Sequence, residues 1–178
     1  QQRVHAVQLE ALKLSQALFI NSWFMLWNFL LEVPTGTVAD FLGRKTSLMA
    51  GSVTAAIAAL LYASKPDFHV FLAAEVVFSI AYTLHSGADE ALAYDSLKSI
   101  GREDRAQRTL SAMESFKLGG IIAGAITGGF IAKYFGYVAP MRFYVLPALA
   151  AFALACTLRE PPLRAEGAPR PNYGTLLL

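Results

Sequence analysis

The sequence predicts an all-α membrane protein, a polytopic bundle of about five transmembrane helices. Apolar residues make up 55% of the 178-residue chain and charged residues only 16%, whereas a soluble domain carries about a quarter charged residues. The charged residues cluster, and the gaps between clusters supply the roughly 20 residues that a bilayer core requires. These apolar runs lack period-two alternation and are dominated by Ala, Leu and Gly, which argues against strands.

Five segments are predicted to span the membrane as one bundle over residues 1–158. Each offers about 20 residues or more, although polar side chains interrupt the third. The predicted spans are approximately 14–39, 46–63, 68–97, 108–134 and 138–158. Residues 159–178 hold four prolines that exclude a regular helix over most of this tail. We therefore predict that the tail is not a sixth spanning helix.

The distribution of Lys and Arg predicts which segments face the cytoplasm. When basic residues near the span ends are counted with the adjoining segments, the segments after the first, third and fifth spans hold nine, the others hold five, and Lys117 lies deep inside a span. Because the more basic side is normally cytoplasmic, the loop after the first span and the tail are predicted to be cytoplasmic. The segments around Lys65 and Arg142 should lie outside. We expect an integral protein of a plasma or inner membrane.

Composition and motifs argue against several other classes of protein. The net charge of +2 is too small and too dispersed for a nucleic-acid-binding protein. The single cysteine, Cys156, excludes an internal disulfide and a cysteine-based metal cluster. The sequence has no nucleophile–base set, HExxH motif or phosphate-binding loop. An enzyme is therefore not predicted, and neither is a metal or a cofactor.

The loop after the first span carries the most specific pattern, "GTVADFLGRKTSL", from Gly36 to Leu48. It resembles the signature loop of the major facilitator superfamily, which reads Gly-x-Leu-Ala-Asp-Arg/Lys-x-Gly-Arg-Arg/Lys-x-x-Leu. Phe41 departs from this signature, since the family usually has a cation there. Seven positions match in order: Gly36, Ala39, Asp40, Gly43, Arg44, Lys45 and Leu48.

This resemblance implies a secondary transporter whose two six-helix halves alternate in opening to each side of the membrane. If the loop is the family's second-to-third loop, the chain resembles an N-terminal half that lacks its first helix. Residues 159–178 then resemble the linker toward a missing C-terminal half. The implied partners are a small-molecule substrate, the lipid bilayer, that C-terminal half, and protons as the candidate coupling ion.

The matching loop is predicted to act as a conformational latch. Asp40 can face the positive end of a helix from the other half, and Arg44 can hold a carboxylate with two hydrogen bonds. Glu90 and Asp95 are the acidic candidates for Arg44, and Asp95 is preferred because it lies nearer the membrane surface. The predicted latch residues are Gly36, Asp40, Gly43, Arg44, Lys45 and Asp95.

Polar side chains within the first span mark a candidate site, because such groups are costly in a membrane. Asn21, Asn28 and Glu32 lie seven and four residues apart and therefore share one helix face. For the two asparagines, substrate contact and hydrogen bonding between helices remain equal alternatives. Glu32 lies near the cytoplasmic end, which favours a structural or gating role.

The third span carries the densest polar set. At 100° per residue, its polar stripe falls within about a quarter of the helix circumference, and it needs a water-filled cavity or polar partners. The stripe consists of Glu75, Ser79, Tyr82, Ser86 and Asp89. Its segment "SGADEALAYDSL" resembles a drug-efflux-like branch of the superfamily, although the arginine and glycine usual near Glu75 and Ser79 are absent.

Four residues of the third span are candidates for a substrate or proton pathway. Glu75 is the candidate proton carrier, because burial favours the protonated form of a carboxyl group; a fixed role in helix packing is the alternative. Tyr82, His85 and Asp89 complete the set, and His85 could instead pair with Asp89 four residues later.

The fourth span carries glycines at helical spacing, which predict close helix contact. They are Gly120, Gly124, Gly128 and Gly129. They resemble the Gly-x-x-x-Gly-Pro-x-x-Gly-Gly signature of antiporter branches, but this sequence has Ala125 where the signature has proline. Glu114 and Lys117, three residues apart, are predicted to pair.

The leading hypothesis is a secondary active transporter of small organic solutes that works by alternating access, with proton-coupled efflux as its finer form. The alternative is a non-transporting membrane scaffold or a receptor-like relative of the same fold. The polar stripe favours the transporter, because a scaffold has no need for Glu75 and Asp89 on one face of a spanning helix.

The predicted orientation can be tested with two engineered cysteines. In a Cys156→Ser background, Lys65→Cys should react with a membrane-impermeant reagent from outside, and Arg105→Cys only from the cytoplasmic side. Labelling of both positions from the same side would contradict the predicted topology.

Overall fold

The structure, a computed structural model of the chain, describes residues 14–160. Within this part all regular elements are helices, as the sequence predicts. A short 3-10 turn, Glu103–Arg105, precedes the fifth helix. The helices are α1 (Leu14–Leu42), α2 (Arg44–Tyr62), α3 (Phe68–His85), α4 (Ala88–Ser99), α5 (Ala106–Phe135) and α6 (Ala139–Thr157). Most of the predicted linker, residues 161–178, lies outside the described residues.

Four stretches of the described chain are long and apolar enough to cross a membrane. They are Arg44–Tyr62, Phe68–Ser99, Glu103–Phe135 and Ala139–Thr157. The helix α1 has 29 residues but is not among them. Asn21, Asn28 and Glu32 lower its apolar content, so the first of the five spans stays a prediction.

The third predicted span consists of two helices within one apolar stretch. The prediction that its polar residues form one continuous stripe is therefore wrong. The helix α3 ends at His85 and α4 begins at Ala88. Between them, Gly87 adopts φ +74°, a left-handed conformation that glycine tolerates without steric cost. Because the turn interrupts the 100° step per residue, Asp89 does not continue the face that carries Glu75 and Ser79.

The helices α2 and α3 form the centre of the bundle. The helix α3 packs against both α1 and α2, and α2 also packs against α6. Small side chains dominate the contact, with Ala55 and Ala56 of α2 clustering with Ala81 of α3 and Ala148 of α6. In a membrane such residues stabilise helix pairs by letting the backbones approach closely.

Hydroxyl groups connect these helices through bonds to backbone carbonyls. Ser47 of α2 donates to the Leu84 carbonyl of α3 at 2.7 Å, and Ser79 of α3 donates to the Phe24 carbonyl of α1 at 3.2 Å. Ser79 is fully buried. This member of the predicted stripe therefore binds a neighbouring helix and does not line a cavity.

The helix α5 stands largely apart from this centre. Its only buried residue is Ala106, and an open apolar groove of about 390 Å³ separates it from α6. A Cβ atom at Gly120, Gly124, Gly128 or Gly129 would meet no atom within 4 Å. The predicted close contact is therefore not made within residues 14–160, and a packing role for these glycines remains a prediction about another partner.

Gly51 of α2 provides a direct test of the central interface. A Cβ atom there would lie 2.5 Å from His85 Nδ1 and 3.1 Å from the Ala81 carbonyl oxygen. We expect Gly51→Ala to lower the thermal unfolding midpoint in lipid, because overpacking costs about 1–3 kcal/mol.

Gly119→Ala is the matched control, since its Cβ atom enters open space and alanine has a higher helix propensity. Its midpoint should stay the same or rise. An equal loss of stability in both variants would contradict the close α2–α3 contact at Gly51.

Candidate functional site

The first candidate site lies at one end of the bundle, where the α1–α2 turn meets α4 and the end of α6. Gly43 alone connects α1 to α2, and its φ of +97° is open to glycine but strained for other residues. This tight turn places Arg44 and Lys45 in the first turn of α2. We call Gly43, Arg44, Lys45, Asp95 and Glu160 the loop network.

Arg44 forms an ion pair with Asp95 of α4. Both side chains are largely withdrawn from solvent, with exposed fractions of 21% and 12%. The structure thus brings together the pair that the sequence favours, while Glu90 lies near Lys117 instead. Removing one partner of such a pair would leave an uncompensated charge, which is strongly destabilising.

The end of α6 completes the loop network. Lys45 Nζ donates to the Cys156 carbonyl at 2.8 Å, which joins the start of α2 to the last turn of α6. The Arg44 backbone N–H donates to the Glu160 carboxylate, which satisfies a free donor at the N-terminus of α2 and complements its dipole. Gly43 also makes room for Glu160, because a Cβ atom there would lie 2.5 Å from Oε2.

Sequence reasoning missed Glu160 and the Cys156 carbonyl. They lie 116 and 111 residues from their partners, and a backbone carbonyl gives no sequence signal. The available signal was an acidic residue, Glu160, at the predicted cytoplasmic end of the last span, on the same side as the Gly43 turn.

Gly36 and Asp40 face outward from this end of the bundle. Both are exposed on α1, and a Cβ atom at Gly36 would meet nothing within 4 Å. Within the described part of the chain, the Asp40 side chain forms no hydrogen bond or ion pair. The two residues therefore present a small open face, and their predicted roles in a latch remain predictions.

A second charged group, the Lys117 cluster, joins α4 to α5 within the spanning region. Lys117 Nζ lies 3.1 Å from Asp89, 3.5 Å from Glu90 and 2.6 Å from Glu114. The predicted pair of Glu114 and Lys117 is present, whereas Asp89 pairs with Lys117 rather than with His85. Three carboxylates surround one ammonium, so the cluster carries excess negative charge when all three are ionised.

Glu75 and His85 both turn toward α2. Glu75 accepts a hydrogen bond from the Tyr62 hydroxyl, and the Tyr62 ring stacks on Phe71 with centroids 5.5 Å apart. His85 lies 3.2 Å from the Ser52 hydroxyl and 2.8 Å from the Ala81 carbonyl. Both pathway candidates thus have hydrogen-bond partners within the bundle.

The remaining pathway candidates lie elsewhere. Asn21 and Glu32 are exposed on α1, and Tyr82 is 56% exposed with its ring edge-on to Phe24. Asn28 is half-buried, and its buried Oδ1 has no hydrogen-bond partner. The structure therefore distributes the predicted pathway over several places and does not gather it into one site.

Comparison with known proteins agrees with the membrane fold and the Gly36–Leu48 loop. The sequence matches the family described as Major Facilitator Superfamily over residues 7–177. Comparison with curated proteins and with solved structures gives no match. Because the family match covers nearly the whole chain, this integral membrane protein belongs to the major facilitator superfamily.

Proposed function

We propose that the protein is a secondary active transporter of small organic solutes that works by alternating access, with proton-coupled efflux as the favoured mode. The observation that carries this proposal is the partly buried Arg44–Asp95 ion pair of the loop network. It joins α2 to α4 at the same end of the bundle where Lys45 and Glu160 join α2 to the end of α6.

The loop network is suited to control the opening of that end. Alternating access requires groups of helices to rock against each other around a central site. Removing one partner of a buried ion pair costs about 3–5 kcal/mol, and alternating states differ by only a few kcal/mol. An ion pair that is better satisfied in one state can therefore decide which state is populated.

Charged groups inside the spans support transport over a purely structural role. Lys117, Asp89 and Glu75 lie within membrane-crossing stretches, where ionisable groups are costly and usually serve ion or substrate pathways. The Lys117 cluster and Glu75 are the candidates for proton coupling. A scaffold or receptor-like relative would not need this excess of carboxylates. In such a protein the loop network would only hold the helices together.

Variants of the predicted latch separate turnover from binding. Asp40→Asn and Arg44→Ala should lower turnover sharply and leave substrate affinity nearly unchanged, because both act on the proposed balance between states. Proteoliposomes with a substrate from a small-molecule screen provide the assay. Phe41→Ala is the control, since this exposed position already lacks the family's cation.

The opposite pattern would reject the latch. If Asp40→Asn abolished binding while cycling rates stayed intact, the loop would belong to the substrate site. If Arg44→Ala and Phe41→Ala had equal effects on turnover, the ion pair would not influence the balance between states.

Glu160→Gln tests the part of the loop network contributed by the end of α6. The neutral amide loses the charge that complements the α2 dipole, a contribution of about 0.3–1 kcal/mol. We therefore expect a roughly two- to fivefold change in the ratio of the two states, measured by distances between spin labels. Glu103→Gln is the matched control, because Glu103 is exposed and lies outside the loop network. An unchanged ratio in Glu160→Gln would remove Glu160 from the latch.

A further inference from the structure

The turn between α4 and α5 carries four basic residues, at the end of the bundle that holds the loop network. All four are exposed. Within residues 14–160, their side chains form no hydrogen bond and no ion pair. We call them the turn cations: Lys98, Arg102, Arg105 and Arg108.

Two other basic residues at this end are used differently. Arg44 pairs with Asp95, and Lys45 donates to the Cys156 carbonyl at 2.8 Å. Both therefore hold helices of the bundle together. Lys98 follows Asp95 on the same helix by three residues, but its ammonium is exposed. The turn cations are thus open to a partner from outside the described residues.

Hydrogen bonds fix the backbone of this turn. Gly101 adopts φ +67°, and its N–H donates to the Lys98 carbonyl at 3.0 Å. The N–H of Arg102 donates to the Leu97 carbonyl at 2.9 Å, which completes a common pattern for ending a helix at glycine. The 3-10 turn Glu103–Arg105 then leads into α5. The turn cations therefore belong to an ordered segment.

The flanking helices place the turn at a membrane surface. It joins Phe68–Ser99 to Glu103–Phe135, and both stretches are long and apolar enough to cross a membrane. Ile100, within the turn, is 66% exposed. Segments that bind at the boundary between headgroups and acyl chains combine exposed apolar side chains with Lys and Arg. The turn has both features at the depth of the headgroups.

The turn keeps an excess of positive charge. Glu103 and Asp104 contribute two carboxylates, both exposed. Neither forms an ion pair with a cation of residues 14–160, so they lower the net charge without binding any one of the turn cations. Clusters of four or more Lys and Arg beside a spanning helix attract anionic lipids. This attraction acts over the Debye length, about 10 Å at 0.1 M salt.

We propose that the α4–α5 turn is a binding surface for anionic phospholipids, in which the turn cations bind the phosphate oxygens of the headgroups. Arginine supplies three of the four cations, and its guanidinium can bind phosphate with two parallel hydrogen bonds. The bilayer is favoured over a soluble partner because the two flanking spans hold the turn among headgroups. The inference goes beyond the proposed function, because it requires insertion into a membrane but not transport.

Quenching of a fluorophore beside the turn tests this surface in protein reconstituted into lipid bilayers. The fluorophore is attached to Ser99→Cys in a Cys156→Ser background. The bilayer contains phosphatidylglycerol or phosphatidylcholine with the same nitroxide-labelled acyl chains. Phosphatidylglycerol should reach half-maximal quenching at a mole fraction at least about fivefold lower, since each cation near an anionic surface strengthens the attraction by about that factor.

Salt provides a control within the wild-type turn. The preference for phosphatidylglycerol should be present at about 0.1 M salt and lost at about 1 M salt, where the Debye length falls to about 3 Å.

Two triple variants remove equal charge from opposite ends of the bundle. Each replaces three exposed cations by glutamine. The turn variant should lose the preference for phosphatidylglycerol, and the control variant should keep it. The turn variant combines Arg102→Gln, Arg105→Gln and Arg108→Gln, and the control combines Lys65→Gln, Lys133→Gln and Arg142→Gln.

Three results would overturn the lipid-binding surface. The first is equal quenching by both lipids at low salt. The second is an equal loss of preference in both triple variants, because the effect would then follow the net charge of the whole protein. The third is loss of the preference on addition of inorganic phosphate at constant ionic strength, which would assign the turn cations to soluble anions. A preference that depends on the turn cations alone and resists phosphate supports the surface, whether or not transport is detected.

Discussion

The ion pair between Arg44 and Asp95 is the constraint on which the architecture of one end of the bundle depends. Neither charge can be left alone in a largely buried position, so the start of α2 and the middle of α4 must lie side by side. That arrangement requires the one-residue turn at Gly43, and the same turn admits the Glu160 carboxylate from the segment after α6. The ion pair and the turn thus bring together the start of α2, the middle of α4 and the segment after α6.

Away from this end, the bundle depends on small side chains and hydroxyl groups. Water does not drive helices together within a lipid bilayer, so close packing and bonds to carbonyls provide the attraction. The helices α2 and α3 meet through alanines and Gly51, and Ser47 and Ser79 donate across the two interfaces of α3. The helix α5 lacks such contacts with the rest of residues 14–160. Its Lys117 instead forms ion pairs with Asp89 and Glu90 of α4.

The sequence predicted the elements whose signals are local. The apolar runs predicted the helices. The partner of Arg44 was predicted from position, because Asp95 lies nearer the membrane surface than Glu90. The break at Gly87 was missed because one glycine in a long polar stretch is compatible with a continuous helix. Glu160 was missed because contacts over more than a hundred residues depend on how the helices pack. The pairing of His85 with Ser52 likewise depends on the close approach at Gly51, which no spacing rule specifies.

A double-mutant cycle of Arg44→Ala and Asp95→Ala tests the central claim most directly. The equilibrium between the two states proposed for the protein would be measured by distances between spin labels in lipid bilayers. If the pair sets this balance, the free-energy changes of the two single variants will not add, and their coupling should reach about 0.5–3 kcal/mol. Additivity within about 0.3–0.5 kcal/mol would show that the two residues act independently and would contradict the account.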